Sequence, residues 1–156
     1  MLKLTEEFSD SLDQAAALIR LSKHVVALAG AGLSVESGIP PFRGPGGLWT
    51  KYGEPTNLSY KEFLRDPQEW WEARFRNEDR PGDPTYELKV AVDQAKPNPG
   101  HYAMVEMEQQ GFLQYLVTQN VDNLHRVAGS QNMLEIHGNR TWLRCIDCAD
   151  RQPRDV

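Results

Sequence analysis

Three short stretches of this sequence combine residue types capable of chemistry, and each directly follows an apolar run. The first is GAGLSVESGIPPFRG, Gly30 to Gly44. Glycines at 30 and 32 let backbone N–H groups approach an anion closely, and a helix beginning near Ser34 would aim its positive end at a pyrophosphate. Gly38 to Arg43 adds a stiff loop that ends in an aromatic ring and a guanidinium. The ordinary dinucleotide fingerprint is absent: its third glycine would fall at Val35, and no acidic residue sits at the end of a following strand to hold a ribose. A tight structural turn is the alternative reading of the glycines.

The second stretch is TQNVDNLHRVAGS, Thr118 to Ser130, where Gln119, Asn120 and Asp122 bring two amides and a carboxylate to the end of a strand. Such groups can hold the carboxamide and hydroxyls of a nucleotide, or they can cap the helix that follows. The third is Glu135-Ile136-His137-Gly138. A neutral imidazole at a strand end can take a proton near pH 7, so His137 is the candidate general base. His24, His101 and His125 have no such setting and are read as structural. Cys145 and Cys148 form a single C-x-x-C, which suits half a zinc site, a redox pair or two ordinary thiols. A serine-hydrolase reading through Ser34, Asp122 and His137 fails, because Glu36 stands where the nucleophile elbow needs a small residue.

These groups need elements to position them. Phe8, Leu12, Ala15 and Ile19 form a stripe on a helix from Thr5 to Leu21, expected to face a core. Val25 to Ala29 reads as a buried parallel strand entering the glycine turn. Gly38 to Gly53 reads as a long loop. Ser59 with Glu62, and Asp66-Pro67 with Glu69, mark two helix starts, with Trp70, Trp71 and Phe75 packing that region. A helix from Thr85 to Ala95 follows the breaker cluster Arg80 to Pro84. Asn98-Pro99 caps a helix from Gly100 to Gln110 that closes at Gly111. Phe112 to Thr118 and Met133 to His137 complete the strands. Strand alternating with helix predicts an α/β fold with an open, doubly wound parallel sheet, whose ligands bind at strand C-termini.

Composition bounds the function. With 156 residues, 40% hydrophobic and 25% charged, the chain has the makeup of an ordinary soluble domain. A net charge of -5, from 22 acidic and 17 basic residues, supplies no positive field for nucleic acid or an anionic membrane. No stretch has the length of a bilayer span, and two cysteines spaced for a metal fit a reducing compartment, so a cytoplasmic location is expected.

The glycine stretch, TQNVDNLH with its following Ala-Gly, the His-Gly pair and the C-x-x-C after it resemble the sirtuin family in order and spacing. The resemblance runs from about the first strand to the last residue, loosely between Trp70 and Pro97. It implies a Rossmann-like NAD domain (1–140, with a helical insertion at about 55–97) and the start of a zinc-binding module (141–156). It also implies NAD-dependent removal of an acyl group from a protein lysine, releasing nicotinamide and O-acyl-ADP-ribose. By the same resemblance, Gly30, Ala31, Gly32, Val35, Phe42 and Arg43 would line the NAD site. Gln119, Asn120, Val121 and Asp122 would complete its ribose and nicotinamide pockets, His137 would be the base, and Phe42 would exclude water. Cys145 and Cys148 would be two of four zinc ligands.

Three departures qualify the match. Pro41 replaces the polar residue usual before the aromatic of the glycine-rich loop, removing a side chain and an N–H. Arg74 and Asn77 stand where the branch favouring acidic acyl chains has a Tyr and an Arg, so desuccinylation is not expected. The second cysteine pair and the remaining strands of the nucleotide fold are absent, so the chain is expected to be a fragment of a longer product. Two rivals are mono-ADP-ribosyl transfer from the same pocket, and a non-catalytic module that dimerises through its open sheet edge and shares a metal through Cys145 and Cys148.

Overall fold

The structure is a computed structural model that describes residues 6–54, 60–76 and 84–154, without the side chains of Glu6, Glu7, Glu62, Ala73, Arg74, Phe75, Arg76 and Thr85. In chain order the elements are α1 (Glu6–Leu21), β1 (Val26–Ala29), a 3-10 helix (Ala31–Ser37), α2 (Leu48–Tyr52), α3 (Tyr60–Arg65), α4 (Pro67–Arg76), α5 (Pro84–Gln94), α6 (Pro99–Gln109), β2 (Tyr115–Thr118), α7 (Leu124–Ala128), β3 (Met133–Glu135), β4 (Trp142–Arg144) and β5 (Arg151–Pro153). They form two units, one from Met1–Gly30 with Pro99–Val156 and the other from Ala31–Asn98.

The first unit is built on a parallel sheet of order β1-β2-β3. Its registers align Ala29 with Thr118 and Thr118 with Glu135, so the three strands end level with one another. Side chains alternate between faces with period two. On one face lie Ala27, Ala29, Leu116 and Thr118; Leu116 is 1% exposed and, with Leu113, Val105 and Leu124, forms the core. On the other lie Val26, Leu28 and Leu134, with Leu28 70% exposed. The sequence reading of β1 as buried on both faces is therefore corrected. A parallel strand is dry on both sides only where both faces are covered, and among the described residues one face is open.

The stripe on α1 is corrected in the same way, since Phe8 and Leu12 remain about half exposed. Apolar spacing says which face seeks burial, not whether something covers it. Helix α6 ends as expected at Gly111, whose φ of 77° permits the left-handed cap. Gly111 N donates to the Glu108 carbonyl and Phe112 N to the Met107 carbonyl, which turns the chain towards β2. Strand β2 is shorter than predicted because this cap takes up Gly111 and Phe112, and the strand begins only at Tyr115. Strand β3 ends at Glu135, so His137 lies just beyond the strand, in a turn closed by Gly138 N to the Glu135 carbonyl at 3.1 Å.

His101 on α6 and His125 on α7 are 0% and 2% exposed, with ring centroids 4.9 Å apart, which bears out their structural reading. Neither ring nitrogen of His125 has a hydrogen-bond partner among the described residues.

The second unit holds the helices α2 to α5. Asp66 caps α4 as its sequence predicts, its Oδ1 accepting from Glu69 N at 2.9 Å. Trp70 packs edge-on against both Phe63 and Trp71. The expected start at Ser59 and the Phe75 side chain lie outside the described residues. Between Gly38 and Gly53 the chain is not loop throughout: α2 forms there because Leu48 is buried and Leu48 N and Trp49 N donate to the carbonyls of Pro41 and Phe42.

Two outcomes follow. Leu116→Ala should lower unfolding free energy by about 2–5 kcal/mol in urea titrations, while Leu28→Ala on the open face should stay within about 0.5 kcal/mol. Burial holds both imidazoles below their ordinary value, against the opposing pull of Asp122. Between the depressed folded value and about 6.5 the unfolded chain binds more protons, so this stability is complete above about pH 6.5 and lost as pH falls through the folded value. The urea midpoint should drop between about pH 7.5 and about pH 5.5, and less so in the His101→Gln, His125→Gln chain.

Candidate functional site

The level ends of β1, β2 and β3 hand three loops to one edge of the sheet. Gly30 leaves β1, Gln119 to Asp122 leave β2, and His137 follows β3. Main-chain bonds continue past the strands, with Gln119 N donating to the Ala29 carbonyl at 3.0 Å and Ile136 N to the Thr118 carbonyl at 3.1 Å. Asn120 Nδ2 donates to the Gly30 carbonyl at 3.0 Å, tying the glycine turn to the polar loop. Asn120 N in turn donates to Thr118 Oγ1 at 3.1 Å, which sets the direction of the loop.

Asp122 is half-buried, and its Oδ1 accepts from Leu124 N at 2.9 Å at the start of α7. That bond is the helix-capping contact of the second sequence reading. Asn123 follows in the left-handed region with φ 72°, a conformation that asparagine tolerates better than most residues. Gln119, Val121 and His137 are exposed. Arg140 N donates to the Val121 carbonyl at 3.1 Å, so the segment after His137 is fastened to the polar loop.

The remaining predicted nucleotide residues, Ala31, Gly32, Val35, Phe42 and Arg43, belong to the second unit. The helix expected near Ser34 begins earlier, at Ala31, and is a 3-10 helix. Ser34 within it is 1% exposed, and Asn98 Nδ2 donates to the Leu33 carbonyl at 2.7 Å and to Ser37 Oγ at 3.0 Å. Gly32 has no left-handed φ, and a Cβ added there would meet nothing within 4 Å. Neither strain nor packing among the described residues demands glycine at that position. Open space beside a bare backbone is what a closely approaching ligand requires.

Phe42 and Arg43 converge on Trp49. The Phe42 and Trp49 rings are 4.9 Å apart, and the Arg43 guanidinium lies 4.4 Å over the Trp49 ring. Arg43 Nη2 also meets Glu54 Oε1 at 2.9 Å in an exposed pair. A Cβ at Gly47 would fall 2.8 Å from the Phe42 carbonyl oxygen, so that glycine lets the loop fold back on itself. Trp49, Gly47 and Asn98 were not singled out as site residues from the sequence. Only a Trp close behind a Gly-Pro-rich loop hinted at the first.

Cys145 and Cys148 are exposed thiols in the turn between β4 and β5, which pair antiparallel. Hydrogen bonds from the backbone N–H groups of Cys148 and Asp147 hold the Cys145 thiol below its ordinary value. Amides directed at sulfur favour thiolate, the form that ligates zinc. Two ligands fit half of a tetrahedral set, and the described residues hold no group of three or more His, Cys, Asp or Glu placed to hold a metal ion.

The chain is similar to relatives of known sequence and structure. The chain is 42% identical over 139 residues to NAD-dependent protein deacylase 2 of Archaeoglobus fulgidus, covering 89% of this chain and 50% of that protein. It is 43% identical over 137 residues to the NAD-dependent protein deacylase of Pyrococcus abyssi, covering 86% and 50%. Among solved structures, a Sir2 homologue bound to ADP-ribose superposes with a TM-score of 0.69 at 39% identity, covering 91% of this chain and 53% of that one. A Sir2 complex with a p53 peptide and NAD superposes at 0.66 with 32% identity, covering 91% and 52%. The chain thus has a Rossmann-like α/β fold and spans about half the length of the curated relatives it matches. The Sir2 family model matches residues 30–155, from the glycine turn to the cysteine hairpin, and the chain belongs to that family.

Proposed function

We propose that this chain serves NAD-dependent removal of acyl groups from protein lysines, releasing nicotinamide and O-acyl-ADP-ribose. The observation that carries the reading is the level ending of three parallel strands, which puts Gly30, Asn120, Asp122 and His137 on loops at one sheet edge, with Asn120 bonded to the Gly30 carbonyl. Ligands of open α/β sheets bind at such an edge. When bound, NAD supplies the ribose carbon to which the acyl oxygen is transferred.

Each residue has a role in this reading. Gly30, Ala31 and Gly32 offer bare backbone to the pyrophosphate, and Val35 lines the site beside them. Asn120 and Asp122 hold the carboxamide and ribose hydroxyls, with Gln119 and Val121 beside them. His137, exposed and just past β3, takes the proton from a ribose hydroxyl. Phe42, whose ring packs on Trp49 and whose carbonyl accepts from Trp49 N, is the water-excluding residue of this reading. Arg43 keeps a cation near the phosphates. Cys145 and Cys148 supply two thiolates to a structural zinc that holds the β4–β5 hairpin. The partner is an acylated lysine on a protein in the cytoplasm.

The test is nicotinamide release from NAD in the presence of an acetyl-lysine peptide. His137→Tyr should lower the rate about 100-fold or more, the scale of a lost general base. Equal rates for the two chains would remove His137 from the chemistry.

A further inference from the structure

Beyond His137 stands an asparagine whose side chain is fully committed to other parts of the chain. Asn139 Nδ2 donates to Asn123 Oδ1 at 2.8 Å and to Glu135 Oε1 at 2.5 Å. Its Oδ1 accepts from Thr141 N at 2.9 Å and from Thr141 Oγ1 at 2.7 Å. A primary amide has two N–H donors and two carbonyl lone pairs, so every bond available to this side chain is made within the protein. It has none left for a ligand.

The partners give these bonds their meaning. The bond to Glu135, together with Gly138 N to the Glu135 carbonyl at 3.1 Å, closes the arc Glu135 to Asn139 on itself, and His137 stands in the middle of that arc. The bond to Asn123 fastens the arc to the residue directly after Asp122, whose left-handed backbone sets the direction of α7. The bonds from Thr141 anchor the start of the hairpin that carries Cys145 and Cys148.

Glu135 is itself held. Arg126 on α7 meets its carboxylate through Nε at 3.0 Å and Nη2 at 2.7 Å, and the Glu135 side chain is 9% exposed. Burial alone would raise this carboxyl, and the hydrogen bonds from Arg126 and Asn139 outweigh it and keep it low. Such a closed, half-buried polar network holds one geometry best when every member is satisfied.

We propose that Asn139 is a positioning residue for the reaction: it fixes the His137 arc against the Asn120–Asp122 loop, so that the proton acceptor and the ribose-holding groups keep one geometry. This rests on the function proposed above for His137 and Asp122. An asparagine is required because both neighbours on its amide side, Asn123 Oδ1 and the Glu135 carboxylate, are acceptors. A carboxylate at this position would lose both donors and face Glu135 with like charge.

The experiment uses the 156-residue chain labelled with nitrogen-15, in the wild type and as Asn139→Ala, Asn139→Asp and Asn139→Asp with Glu135→Gln. The first two variants should shift or broaden the His137 ring and backbone signals and those of Val121 to Asn123, leaving Val26 to Ala29 in place. Their kcat for nicotinamide release should fall about 10- to 100-fold, the scale of a misplaced reacting group. KM for NAD should rise by a smaller factor than kcat falls, since the ribose-holding loop and the proton acceptor are displaced together. The exchanged pair restores a donor facing an acceptor between positions 135 and 139 only, and should bring the signal positions and kcat part of the way back from those of Asn139→Asp. If the wild type releases no nicotinamide, the proposed function fails while the His137 signals still decide the positioning role. Should Asn139→Ala fail to fold, the exchanged pair decides it. A folded Asn139→Ala with wild-type His137 signals, or an exchanged pair no better than Asn139→Asp alone, would overturn the proposal.

Discussion

The main-chain ladder of β1, β2 and β3 is the constraint on which the site depends. Ala29 pairs with Thr118 and Thr118 with Glu135, so three loops leave the sheet at the same height. A register slip of one residue would turn Leu116 and Thr118 out of the core and move the loops along the edge. Leu116 and Thr118, both 1% exposed, specify the register by having only one face where they can be buried. The chemistry at the edge is thus set by apolar packing several ångströms below it.

Polar bonds then turn a shared edge into a defined surface. Asn120 ties the β2 loop to Gly30, Asp122 starts α7, and Arg140 N ties the chain after His137 to Val121. Each bond is modest by itself. Together they leave the loop backbones few alternatives, while the side chains of Gln119, Val121 and His137 stay exposed. In the second unit the same division holds, with Asn98 securing the 3-10 helix and Trp49 securing Phe42 and Arg43, while Gly32 keeps open space beside it.

Much of this was legible in the sequence because it is written in local patterns. Val25 to Ala29 before Gly30, Asp66-Pro67 before Glu69, and Gly111 after α6 each combine a residue type with a backbone need, and the structure meets each need close to the expected place. Burial was less legible. The stripe of Phe8 and Leu12 and the apolar run of β1 are real patterns, yet Leu12 is 47% and Leu28 70% exposed, because a pattern names a face and not its cover. Long-range polar partners left no trace in spacing: nothing in the sequence links Asn139 to Asn123, sixteen positions away, or Asn98 to Leu33. Such contacts exist only once each unit has folded.

Titrating NAD into the nitrogen-15-labelled chain reads the central claim most directly, because every backbone amide reports on its own loop. Joint displacement of the Gly30, Asn120, Asp122 and His137 signals along one saturating curve is the expected result. Displacements confined to one of these loops, or spread over the open face at Val26, Leu28 and Leu134, would contradict a single nucleotide surface at the strand ends.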